Sequence, residues 1–85
     1  DLIQPLEDYD RKYHGELLPT LQEILQNGWN LKESAAGLYI HYNSIKYRYS
    51  KICKVLNLDL ADHNNRSLVE IAMKLYLLKH KPESN

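Results

Sequence analysis

"AAGLYIHYNSIKYRYSKI", residues 35–52, decides how this sequence is read. Two alanines and a glycine lead into a cluster of tyrosines, then a basic residue recurs every few positions and no acid appears. Such a run is either the solvated face of a helix or a surface shaped for a polyanion. The chain as a whole is neutral, but its charge is unevenly spread. Residues 1–30 hold six acids and two bases, a balance of −4, whereas residues 41–58 hold Lys46, Arg48, Lys51 and Lys54 without an acid, a balance of +4. Residues 31–40 and 59–85 each balance to zero. Phosphate attraction is screened within about 8–10 Å in ordinary salt, so the local patch matters more than the total.

Hydrophobic spacing puts helices on both sides of this run. Pro5 suits a first helical turn and opens a short polar helix over 5–13, with Leu6, Tyr9 and Tyr13 on one side. After Gly15, the residues Leu17, Leu18, Leu21, Ile24 and Leu25 predict an amphipathic helix over 16–26, with Pro19 in or beside its first turn. Asn27–Gly28 stops it. Asn30 and Glu33 resemble a capping box opening a third helix, 31–38. Tyr39–Ile40–His41 forms a tight connection. A longer helix then runs from 42 to about 56, with Ile45, Tyr49, Ile52, Cys53 and Leu56 inward and Asn57 as a left-handed stop. Asp62 caps a last helix, about 63–80, with Leu68, Ile71, Ala72, Leu75 and Leu78 expected to face the core. Lys79, His80 and Lys81 suit its negative end, and Pro82 closes it. The fold class is all-α: a small five-helix domain without strand pattern, repeat or low-complexity tract.

At 85 residues and 44% apolar composition the chain is one domain with enough apolar side chains for a packed core. No apolar run approaches the 18 or so residues a membrane span needs, which points to a soluble chain without a membrane partner. The first residue is Asp1 and no signal-peptide pattern follows. The sequence is therefore expected to be a piece of a longer, cytoplasmic protein. The single cysteine, Cys53, excludes an internal disulfide and fits a reducing compartment.

A short capped helix, a turn of about three residues and a longer basic helix make a helix-turn-helix. Ala35, Ala36 and Gly37 are small enough for the first helix to cross the second closely, and Ile40 and Ile45 plug the gap between them. With Ile45, Tyr49 and Ile52 buried, the second helix presents Asn43, Ser44, Lys46, Tyr47, Arg48 and Lys51, and both Lys46 and Arg48 are expected to be exposed. Amide, hydroxyl and basic groups at the start of a helix are what major-groove base edges and flanking phosphates require. The bland reading, a lysine-rich solvated face, is disfavoured by the lack of acids, the polar first turn and the small-residue helix in front. Double-stranded DNA is the expected partner, touched by His41, Tyr42, Asn43, Ser44, Lys46, Tyr47, Arg48 and Lys51. The competing class is a protein-interaction or dimerisation module on the same scaffold, with the last helix as its partner surface.

Residues 17–78 resemble the C-terminal helix-turn-helix domain of the purine-catabolism-regulator (PucR) and sugar-diacid-regulator (CdaR) type of bacterial transcription factor. That family shows a leucine-rich helix, Asn–Leu with an alanine-rich helix, an H-x-N-[ST]-[VI]-x-Y-R core, then G-L-D-L and a final leucine-rich helix. Here these are Asn30–Leu31, Ala35–Ala36, His41 with Asn43–Ser44–Ile45 and Tyr47–Arg48, and Leu58–Asp59–Leu60. Residues 5–18 extend the likeness upstream. Tyr42 stands where the family usually has a base, Asn57 where it has glycine and Tyr49 where it has leucine. The resemblance implies a small-molecule effector sensed by a region upstream of this domain, and a homodimer or larger assembly in the full regulator.

The remaining chemistry is sparse. His14, His41, His63 and His80 fall on separate elements, and one cysteine cannot complete a zinc set, so no metal or cofactor is expected. His41, at a helix start, can cap or touch phosphate. Cys53 reads as an inert core thiol. No nucleophile–base arrangement, paired carboxylates or phosphate-cradling glycine loop points to an enzyme. Trp29 either covers the core between helices, the favoured reading, or lies against the backbone of bound nucleic acid.

Overall fold

The computed structural model describes residues 1–80, and these form five helices with no strand among them: α1 (Gln4–Tyr13), α2 (Leu17–Gln26), α3 (Leu31–Leu38), α4 (Tyr42–Leu56) and α5 (His63–Lys79). The expected bounds hold to within a residue, and the three-residue connection between α3 and α4 is as read. Lys81 and Pro82 lie outside the described residues.

Three helices end in the same way, and this gives the chain its path. Gly28, Tyr39 and Asn57 each adopt the left-handed conformation, with φ of 60°, 58° and 56°. In each case the next residue, Trp29, Ile40 or Leu58, turns its N–H back onto a carbonyl of the last turn, Ile24, Ala35 or Cys53, at 2.9, 3.0 and 3.1 Å. That is the Schellman closure, in which a hydrophobic residue just past the helix folds back over it. Trp29, Ile40 and Leu58 accordingly pack on the core. Tyr39 bears the steric cost of a left-handed non-glycine residue, and its ring is left in solvent.

Side-chain caps set the starts. Asn30 accepts from the Glu33 N–H at 3.0 Å, but the box does not close. The Asn30 N–H bonds to the Asn27 carbonyl instead. Asp62 accepts from the Asn64 and Asn65 N–H groups at 2.8 and 3.3 Å. The start of α2 is capped from a distance: Glu16 is itself left-handed and contributes no cap. Asp10, reaching across from α1, takes the Leu17 and Leu18 N–H groups, both at 2.8 Å. Gly15 makes that turn possible, since a Cβ there would lie 2.5 Å from the Tyr9 ring.

The core has two parts. The larger joins Ile3, Leu6, Leu17, Leu21, Ile52, Leu56, Leu60, Val69, Met73 and Tyr76, drawn from α1, α2, α4, α5 and the segments beside them. The smaller joins Ile24, Ala35 and Ile45 of α2, α3 and α4, and Trp29 and Tyr49 pack against both. Close backbone packing is confined to α1–α4, whereas α5 docks through side chains. Tyr76 places its hydroxyl beside Glu7 of α1 and so holds that carboxyl below the usual range, while burial and the same carboxylate push the Tyr76 phenol up.

The orientation of α5 corrects the sequence reading. Leu68, Ile71, Leu75 and Leu78 are exposed; of the five residues expected inward only Ala72 is even half-buried, and the core side is Val69, Met73 and Tyr76. The apolar residues of this helix fill an arc wider than one buried face, leaving only the side of Arg66, Glu70 and Lys74, so hydrophobicity alone does not choose which part is buried. Polar pins on its first half do. The Trp29 indole N–H donates to Glu70 at 2.7 Å, the Arg66 guanidinium lies 4.8 Å from the Trp29 ring centroid, and Arg66 Nε donates to the Leu60 carbonyl at 2.6 Å. Trp29 thus covers the core, the favoured of its two readings. The orientation is testable by melting. Met73→Ala is expected to cost about 2–5 kcal/mol, as buried truncations do, whereas Leu75→Ala stays within about 0.5 kcal/mol of the parent, as surface changes do. Equal losses would put Leu75 back in the core.

Candidate nucleic-acid interface

The α3–turn–α4 unit is held by a dry contact. Ile45, one turn into α4, is wholly buried against Ile24 and Ala35, with Ile40 from the turn and Leu31 and Leu38 of α3 closing around it. Only one of the three small residues of α3 serves the crossing as expected. Ala35 is buried, Ala36 is exposed, and Gly37 leaves room for the Glu23 carboxylate of α2, which a Cβ would overlap. Ser34, which the hydrophobic pattern passes over, is fully buried; its hydroxyl donates to the Asn30 carbonyl at 2.7 Å and receives the Asn27 amide at 3.3 Å.

His41 caps α4. Its Nδ1 accepts the Asn43 N–H at 3.1 Å. The ring proton is therefore on Nε2, which gives this exposed residue a free N–H donor. Beyond the cap, Asn43, Tyr47, Ser50 and Lys54 follow one another at helical spacing along the side opposite Ile45, and all are exposed, as are Tyr42, Ser44 and Lys46. Tyr42 lies between two ammonium groups, Lys46 at 5.3 Å and Lys32 at 5.9 Å from its ring centroid. Lys32 was not legible as part of this surface, because Glu33 beside it balances its charge in the sequence. Lys51 is half-buried, 5.9 Å from the Tyr47 ring and 6.0 Å from that of Tyr9 in α1.

Arg48 departs from its expected exposure. Its side chain is only 21% exposed and bridges α4 to α2. Nη1 donates to Thr20 Oγ1 at 3.1 Å and Nη2 to the Glu16 carboxylate at 3.2 Å. The Thr20 hydroxyl donates in turn to the Glu16 carbonyl at 2.6 Å, so a fully buried polar group is satisfied. The guanidinium also lines a hollow of about 390 Å³ with Gly15, Asn43, Ser44 and Tyr47, where the α1–α2 turn meets the start of α4. Cys53, on the inner side of α4, has its thiol pKa pushed up by burial, which keeps it in the unreactive form. No group of three potential metal ligands comes together among the described residues, and no helix among them is long and apolar enough to cross a membrane.

Comparison with known proteins gives a consistent result. The profile of the family described as the PucR C-terminal helix-turn-helix domain matches residues 17–75, which covers α2 to α4 and most of α5. The chain is 34% identical over 76 residues to the proline-responsive transcriptional activator PutR of Bacillus subtilis (strain 168), covering 89% of this chain and 18% of that protein. It is 27% identical over 73 residues to the DNA-binding transcriptional activator AdeR of the same organism, covering 86% of this chain and 17% of that protein. The chain thus spans less than a fifth of the length of either relative. No solved structure matches it significantly.

Substitutions at two positions test how α4 is held. Ile45→Ala is expected to cost about 2–5 kcal/mol through the cavity it leaves. Arg48→Ala should cost about 1–3 kcal/mol through the lost bridge to Thr20 and Glu16, and Arg48→Lys should recover only part of that, because a single ammonium cannot reproduce the fork. Thermal melts report both. An Arg48→Ala protein as stable as its parent would show that the bridge contributes nothing.

Proposed function

The chain belongs to the PucR C-terminal helix-turn-helix family of DNA-binding regulator domains, and from that premise we propose that it binds double-stranded DNA sequence-specifically, with α4 in the major groove. The observation that carries this is the outer row of α4, an exposed and acid-free succession of amide, phenol, hydroxyl and ammonium groups that begins at the helix N-terminus. Asn43 and Tyr47 lie deepest in the groove: the amide suits the paired donor and acceptor of an adenine edge, and the phenol suits a thymine methyl or a base acceptor. Lys46, with Lys32 behind the Tyr42 ring, meets the phosphates on one side. His41 Nε2–H and the Ser44 hydroxyl, at the helix start, donate to a phosphate there. Arg48 works mainly by fixing the rotation of α4, with its remaining donors turned to the hollow beside Asn43 and Ser44, and Lys51 adds charge at the α1 side.

In the whole regulator the domain acts as one of a pair on two half-sites about 34 Å apart, one turn of the duplex. The regulator works in the bacterial cytoplasm and is switched by a small molecule bound elsewhere in the polypeptide. A relative named for its response to proline supports that last reading. The chemistry is binding; it calls for no catalytic residue and no cofactor.

Duplex binding followed at several salt concentrations tests the proposal. Affinity should fall steeply with salt, because each neutralised phosphate contributes about −0.9 to the logarithmic slope. Lys46→Ala should reduce that slope by about one unit, and Asn43→Ala should cost roughly 1–3 kcal/mol at one base position of a selected site. Wild-type binding by both variants would remove α4 from the groove.

A further inference from the structure

Of the five large apolar side chains that α5 exposes, four share one side of the helix: Leu68, Ile71, Leu75 and Leu78, exposed by 48%, 59%, 62% and 69%. Their spacings of 3, 4 and 3 are those of the a and d positions of a heptad. They form a row separate from Val69, Met73 and Tyr76, which bind the helix to its own core. We propose that this row is the seam through which a second copy of the chain packs, α5 against α5 and antiparallel about a two-fold axis, when two copies occupy adjacent half-sites. The proposal rests on the DNA-binding reading above and assigns a surface to the pairing that reading calls for.

The edges of the seam accept a second copy in one direction only. Ser67 and Lys74 flank one side, Ala72 and Lys79 the other. A parallel pair would set Lys74 of one copy against Lys79 of the other, two like charges beside an apolar seam. In the antiparallel pair Leu68 faces Leu78 and Ile71 faces Leu75, while Lys74 meets Ser67 and Lys79 meets Ala72. Beside Ala72 there is room for an incoming lysine stem: Leu2, Ala72, Leu75, Tyr76 and Lys79, with Asp1, line a hollow of about 270 Å³. The location is compatible with binding as well. Ile52 and Leu56 of α4 share the core with Val69 and Met73, so the seam and the outer row of α4 face away from that core on different helices.

The size of the seam sets its strength. The four side chains expose on the order of 500 Å² together, comparable with the largest patch on an ordinary monomer. Two copies would cover about 1,000 Å² in all, below the usual range for a stable complex. The pair is therefore weak in free solution and is consolidated when DNA holds both copies side by side.

Analytical ultracentrifugation of the 85-residue chain, together with binding to duplexes carrying one or two half-sites, decides the matter. The weight-average mass should rise from 10.0 kDa toward twice that value as concentration increases, and two half-sites should fill cooperatively. Leu75→Glu should keep its helical signal, melting temperature and single-half-site affinity while losing both self-association and cooperativity. Lys74→Glu should leave the antiparallel pair unchanged; tighter association would mean a parallel pair and overturn the stated geometry. A wild-type chain that stays monomeric and fills two half-sites independently overturns the seam. So does wild-type chain that binds phosphatidylglycerol vesicles through this face without self-associating. A chain that self-associates but binds no duplex would instead refute the DNA reading and leave the seam standing.

Discussion

Burial of Ile45 against Ile24 and Ala35 fixes the rotation of α4 about its own axis, and the character of the exposed surface depends on that rotation. A helix turned by one residue, about 100°, would carry Lys46 and Ser50, or Ser44, Arg48 and Lys51, into the places of Ile45, Tyr49 and Ile52. Three further constraints hold the same setting. The left-handed Tyr39 aims the chain into the turn, His41 caps the first turn, and Arg48 ties the middle of the helix to Thr20 and Glu16. An apolar contact sets the angle, and polar contacts at both edges keep it from drifting.

The neutral total charge follows from this arrangement. Several acids of the first thirty residues have structural duties: Asp10 caps α2, Glu16 pairs with Arg48, Glu7 pairs with Arg11, and Glu23 receives the Asn27 amide. Their charge is partly answered where it stands. Lys46 and Lys54 have no such duty on the outer face of α4. A domain with no net charge thereby keeps one face whose field favours phosphate, and the attraction is local enough to be governed by salt.

Helix bounds, the turn and the inner stripe of α4 were legible because strong local signals agreed there: Asn and Asp caps, left-handed stops, and an apolar period interrupted by charge. The face of α5 was not. Leu68, Val69, Ile71, Ala72, Met73, Leu75, Tyr76, Leu77 and Leu78 fill an arc wider than one buried face, and the pins that orient the helix include Trp29, forty-one residues away from Glu70. The burial of Arg48 was not legible for a related reason. Its partner Thr20 lies twenty-eight positions upstream and reads as an unremarkable helix residue. Asp10 capping α2 and Lys32 joining Tyr42 are likewise contacts between elements, which no periodicity within one element reveals. The candidate site was legible as a set of residue types at helical spacing, whereas the division between side chains that face outward and one that braces the helix required the packed structure.

The central claim is that the outer row of α4 is the surface that meets DNA. Backbone amide shifts recorded while a selected duplex is titrated into the isotopically labelled chain test it residue by residue. The largest changes should fall between His41 and Lys51 and at Lys32, with Leu68, Ile71, Leu75 and Leu78 unmoved by a duplex carrying a single half-site. Changes centred on α1 or α5, with α4 silent at saturating duplex, would contradict it.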